Sequence, residues 1–124
     1  MTDRFVFDTY ALIALLEGNP AYLKHSRAIM VINDFIFAEY CYLTLRRYVD
    51  YPEEADTKAR SVINTILSLS KDVIMDAMKF RYENRKKDMS ATDCVSYIHA
   101  RQLGIPFLTG DCAFEGLPGV EFVR

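Results

Sequence analysis

Hydrophobic and polar positions along this chain alternate between two rhythms. Arg4-Phe5-Val6-Phe7 is a short β-prone run that ends at Asp8-Thr9, and residues 10–17 carry helix formers as far as Gly18-Asn19-Pro20. A strand therefore feeds directly into a helix. A second helix is expected over residues 21–28, and residues 29–32 suit a short strand. Asn33 or Asp34 provides an N-cap for a long helix reaching about Tyr48, ahead of Pro52. Two further amphipathic helices are expected over 53–67, opened by that proline, and over 72–87. Ser90 starts a last helix to Leu103, closed by Gly104 with Pro106 beyond it. Phe107-Leu108 reads as a short buried strand, 110–119 as loop, and 120–123 as a terminal strand.

Strands that alternate with helices, without a hairpin signal between them, imply an α/β fold: a parallel sheet covered by helices on both faces. Ligands of such sheets bind outside the carboxyl ends of the strands. The chain has no internal repeat, linker or low-complexity stretch. Its 124 residues suit one domain spanning 1–124, with a single sizeable core.

Composition narrows the function classes. With 51% hydrophobic and 26% charged residues the chain reads as a folded soluble protein. No apolar run approaches the ~20 residues needed to span a bilayer, and no secretory signal order stands at the N-terminus. The expected location is the cytoplasm. Cys41, Cys94 and Cys112 are far apart and lack a C-x-x-C spacing, which fits free thiols in a reducing compartment and disfavours zinc. A net charge of -2 argues against a simple basic nucleic-acid binder. A polyanionic substrate would need a metal or a local basic patch, and Arg46-Arg47, the 79–87 segment and Arg101 offer such patches.

Four acids stand where an acid is locally out of place: Asp8 after the first strand, Glu39 inside an apolar run, Asp93 at a helix start and Asp111 just past a strand. Brought together they would form a negative pocket that calls for a cation, since like charges a few ångströms apart otherwise repel or take up protons. An all-oxygen donor set suits Mg²⁺ or Mn²⁺ better than zinc. Each acid also has a structural reading. Asp8 could cap the helix beginning at Thr9, Asp93 completes an S-x-x-D capping pattern with Ser90, and Asp111 could be a turn residue. Glu39 resists such a reading because Phe35, Ile36, Tyr42 and Leu43 are its helical neighbours.

Other residues carry less. Arg46 lies two helical turns beyond Glu39, placed to contact a substrate phosphate or to pair with an acid of the pocket. Thr9 and Thr109 flank the acids and could position a ligand or water. His25 and His99 stand apart from any carboxylate pattern and offer no catalytic base. No Ser/His/Asp or Cys/His set can be assembled, and the glycines form no phosphate loop.

In order along the chain, Phe5-Val-Phe-Asp8-Thr9, Phe37-Ala-Glu39, Ser90-Ala-Thr-Asp93-Cys and Pro106-Phe-Leu-Thr109-Gly-Asp111 resemble the motifs of the PIN domain, and within it the VapC-like toxins of toxin–antitoxin pairs. The resemblance runs from about Phe5 to Val123. It implies a three-layer fold and a Mg²⁺- or Mn²⁺-dependent endoribonuclease, often a homodimer and usually inhibited by a small cognate antitoxin. Asp8, Glu39, Asp93 and Asp111 match the family's acidic quartet as catalytic and metal-holding residues. The further acid that the family often carries beyond the last motif has only Glu115 as a stand-in here, which puts a full second metal site in doubt. Eight Tyr and eight Phe agree with an aromatic interface between copies. Two other readings stay open: a catalytically inactive PIN-like module that binds RNA or protein, and a receiver-type phosphoacceptor domain. The latter fits poorly, because Asp8 is a single acid and the middle acid lies within a helix.

Overall fold

The computed structural model describes residues 3–124; Met1 and Thr2, which the single-domain reading included, lie outside the described residues. Four strands form one parallel sheet: β1 (Arg4–Phe7), β2 (Ile29–Val31), β3 (Phe107–Thr109) and β4 (Val120–Phe122), in the order β2-β1-β3-β4. Five α-helices accompany them: α1 (Thr9–Leu16), α2 (Asp34–Arg47), α3 (Pro52–Ser61), α4 (Lys71–Glu83) and α5 (Ala91–Leu103).

Two-residue alternation along the central strands divides the core into two layers. Phe5, Phe7 and Leu108 point to one face, where they meet Leu12 of α1, Tyr22, and Ile36 and Tyr40 of α2. Val6 and Phe107 point to the other, against Ala77 of α4 and Cys94, Val95 and Tyr97 of α5. Helices therefore cover both faces of the sheet, as expected.

The differences from expectation lie at helix ends. Residues 21–28 form a 3₁₀ helix, Pro20–His25, not an α-helix, because Asn19 caps its start and the chain turns into β2 only a few residues later. The helix expected over 53–67 stops at Ser61, after which Ile63–Thr65 is a 3₁₀ turn that lets Ile66 bridge Ile32 at the sheet edge. The helix expected over 72–87 stops at Glu83, and Arg85–Lys87 is again 3₁₀, ended by Asp88 in the left-handed region at φ 55°. No periodicity argument could have seen these breaks, since a 3₁₀ turn continues the helical polarity for one more turn.

Candidate active site

The neighbours of β1 are β2 on one side and β3 on the other, so the chain changes direction across the sheet between β1 and β3. A crevice opens at the carboxyl ends of strands at such a point. Here it is a cavity of about 580 Å³, and Asp8, Thr9, Glu39, Asp93 and Asp111 all line it. Four segments distant in sequence thus bring the four acids to one place.

Local structure explains each position. Asp8 is the N-cap of α1: its Oδ1 accepts the Ala11 amide N–H at 2.6 Å, and its Oδ2 accepts the Thr109 hydroxyl. Glu39 projects from the second turn of α2, where its Oε1 accepts the Thr9 hydroxyl at 2.6 Å. Ser90 caps α5 by accepting the Asp93 amide N–H at 3.0 Å, which leaves Asp93 in the first turn facing the cavity. Asp111 caps a short 3₁₀ turn, Cys112–Phe114, through the Ala113 amide, and its own amide donates to the Thr109 hydroxyl at 3.0 Å. For Asp8 and Asp111, capping and lining the pocket are held by one side chain.

Thr9 and Thr109 are expected to position a ligand or water. Both hydroxyls are instead committed to carboxylates, and Thr109 is fully buried behind Asp8. Arg46 does not line the cavity; it lies exposed on α2, 5.8 Å over the Tyr42 ring, and forms no ion pair among the described residues. The apolar surround expected of Glu39 is half present: Ile36 is buried and Leu43 lines the cavity, but Phe35 and Tyr42 are exposed. His25 does have a carboxylate partner, since its Nε2 lies 2.9 Å from Glu121 Oε2, a contact between residues 96 positions apart that no local pattern announces. His99 is buried in α5, where desolvation lowers its pKa.

Four contributors carry no functional signal in their local sequence. Asn33, fully buried, caps α2 through the Ile36 amide and donates to the Ser96 hydroxyl at 3.0 Å, so it ties the helix bearing Glu39 to the helix bearing Asp93. Its cap role was legible; the tether was not. Tyr22 and Gly110 line the cavity together, and a side chain on Gly110 would meet Val123 O at 2.8 Å. Arg124 also lines it and reaches Glu115 at 3.4 Å.

Electrostatics register the crowding. Burial pushes the Asp8 carboxyl up, its hydrogen bonds from Thr109 and Ala11 oppose this, and the charges of Asp111 and Glu39 add to it. Burial, with the charges of Asp8, Asp111 and Glu39, pushes Asp93 up to about 7, against a hydrogen bond from Ser90. Burial and the nearby Asp8 charge push the Tyr22 phenol up to about 12. Among the described residues no three His, Cys, Asp or Glu side chains stand close enough together to hold a metal ion as they are placed. The donor chemistry nevertheless suits a hard divalent cation: carboxylate oxygens only, each with a lone pair beyond its present hydrogen bond, around a cavity whose lining offers one cation, Arg124.

The PIN domain family model matches residues 5–120. This chain belongs to the PIN domain family. A toxin–antitoxin complex from Klebsiella pneumoniae has the same fold at 21% identity, with a TM-score of 0.74 over 94% of this chain and 95% of that one. Mycobacterium tuberculosis VapC20, described as a toxin that cleaves the sarcin-ricin loop, superimposes with a TM-score of 0.76 at 17% identity over 97% and 99% of the two chains. The DNA-bound VapBC of Salmonella typhimurium gives 0.71 at 17% identity over 98% and 97%. The sequence matches no curated protein. At these identities the likeness is one of fold, and this PIN domain shares that fold across its described length. Among the described residues, no helix is long and apolar enough to cross a membrane.

Proposed function

We propose that this PIN domain is a divalent-metal-dependent endoribonuclease of the toxin class, with Asp8, Glu39, Asp93 and Asp111 as its catalytic, metal-holding residues. The observation that carries this is the convergence of the four acids on one cavity at the strand ends, where burial, with the charges of the other three, pushes Asp93 up to about 7. Family membership and the VapC fold neighbours support the same class.

Asp8 and Asp111 sit at the ends of the two central strands and are fixed by backbone amides. They form the rigid floor. Glu39 and Asp93 come from α2 and α5 and line the same cavity. When bound, Mg²⁺ or Mn²⁺ supplies charge neutralisation at the scissile phosphate and activation of a water. Thr9 and Thr109 hold Glu39 and Asp8 in place through their hydroxyls. Arg124 at the cavity edge is the cation best placed to meet the entering RNA backbone.

A small antitoxin partner fits the same reading. A groove of about 200 Å³ between α1 and α2 is lined by Leu16 and Tyr40, with Lys58 and the Arg47–Glu17 ion pair at its border, and it shares Ile13 and Leu43 with the acidic cavity. An amphipathic helix with apolar anchors and acidic flanks would cover that groove and block the mouth of the cavity.

Incubating the purified protein with single-stranded RNA, with Mg²⁺ or Mn²⁺ and with EDTA, tests the proposal. Cleavage is expected only with metal, and Asp8→Asn should bind RNA but not cut it. Full cleavage in EDTA, or wild-type cleavage by Asp8→Asn, would sink it. RNA binding with no cleavage under any divalent metal would assign the pocket to a non-catalytic binding module.

A further inference from the structure

A second depression, of about 310 Å³, lies between the end of α4 and the segment leading into α5, lined by Met78, Arg81, Tyr82, Arg85, Asp88 and Met89. We propose that it is a nucleobase subsite: it receives an unpaired base of the RNA strand whose phosphate lies in the acidic cavity. The proposal rests on the ribonuclease reading and names where a flanking nucleotide docks.

One wall is already built for stacking. The Tyr82 ring is 67% exposed, and the Arg85 guanidinium lies 4.3 Å from its centroid. Arg85 Nη1 also donates to the Tyr82 backbone carbonyl at 2.9 Å, so ring and guanidinium are fixed against each other on the surface. Flat, pre-positioned aromatic and guanidinium planes are what unpaired bases stack on. Met89, buried, gives the hollow an apolar base, and Arg81 is held to the Met89 carbonyl by an Nε donor at 3.1 Å.

A free carboxylate in the hollow offers an acceptor to a base edge. Asp88 lines the hollow without an ion-pair partner among the described residues, and its carboxylate repels phosphate while accepting N–H donors from a base edge. Arg81 and Arg85 line the hollow and Lys79, Lys86 and Lys87 are exposed beside it, so cations outnumber Glu83 and Asp88 there, in a chain of net charge -2. The backbone of a strand would follow the lysines while its base entered.

Position links the hollow to the chemistry. Asp88 and Met89 border it, and the next residue, Ser90, lines the acidic cavity and caps the helix that carries Asp93. The two sites are therefore served by consecutive residues of one segment, 88–90. The left-handed backbone of Asp88, at φ 55°, turns the chain just ahead of Met89 and Ser90, a conformation that Asp tolerates better than most side chains.

Fluorescence anisotropy with a labelled single-stranded RNA, on full-length Asp8→Asn protein to prevent cleavage, tests the subsite. Adding Tyr82→Ala should weaken binding about 10-fold, the effect of one lost base stack. Tyr82→Phe should restore it, and the melting temperature should not move, because the ring is exposed. An RNA with abasic positions should bind both forms alike. Equal affinity of Tyr82→Ala and the parent for intact RNA overturns the subsite and leaves the ribonuclease reading standing. If the Asp8→Asn protein binds no RNA at all, the ribonuclease reading fails and the subsite with it. A change in sedimentation on Tyr82→Ala would make this face a contact between copies, through Met75, Met78 and Tyr82, and would also overturn the subsite.

Discussion

Replacing Asp93 by Asn removes a carboxyl that the fold holds in a half-buried place among three other acids, and keeps its size and the amide that Ser90 caps. In the unfolded chain this group titrates near 3.8; in the folded protein it titrates at about 7. A raised carboxyl is a destabilising one. Below about pH 4 it is protonated in both states and costs nothing. Between about pH 4 and pH 7 the unfolded chain releases the proton first, so the metal-free fold loses stability as pH rises, and above pH 7 the loss is constant. A displacement of this size bounds the cost at about 4 kcal/mol. Water and salt at the open mouth of the cavity screen it, which brings the expected value to ~1–2 kcal/mol.

Asp93→Asn should therefore melt about 4–8 °C above the wild type at pH 8 in EDTA. The gap should shrink steadily from pH 7 to pH 5. Circular dichroism melts over that range measure it. Adding Mg²⁺ at pH 8 should raise the wild-type midpoint more than the variant's, since the cation offsets the repulsion that the Asn has already removed. If Asp93→Asn melts lower than the wild type at pH 8, or the gap does not change between pH 5 and pH 8, burial and the neighbouring acids do not raise Asp93 as described.

Three further outcomes follow from the supports of the site. Thr109→Val keeps the shape of the buried side chain but leaves Asp8 Oδ2 without its donor, and should cost about 1–3 kcal/mol by urea unfolding. Gly110→Ala places a methyl against Val123 O and the Tyr22 hydroxyl, and overpacking of that kind should cost about 1–3 kcal/mol and lower cleavage by moving Asp111. Asn33→Ala removes the cap of α2 and its tether to Ser96; it should cost about 2 kcal/mol and weaken protection of α2 amides in hydrogen exchange.

Much of the site was legible before folding because an acid in the wrong surroundings is a local signal. Asp8 and Asp111 follow strands, and the rule that ligands bind at strand ends located them without coordinates. Glu39 stood out against its helical neighbours. Nothing local, however, showed that Thr109 would bond to Asp8 across 101 positions, that Asn33 would reach Ser96, or that Arg124 rather than Arg46 would stand at the cavity. The 3₁₀ breaks at Pro20–His25 and Arg85–Lys87 were hidden for a related reason: where a helix ends depends on what the next turn packs against.

The order of strands and helices, the two-faced alternation of β1 and the four acidic motifs belong to the chain itself, because each is set by residues within a few positions of one another. Which acids become neighbours, how far burial and their charges raise Asp93, and which hydroxyls and amides hold them depend on the β2-β1-β3-β4 arrangement, since only packing the strands side by side brings the ends of β1 and β3 together.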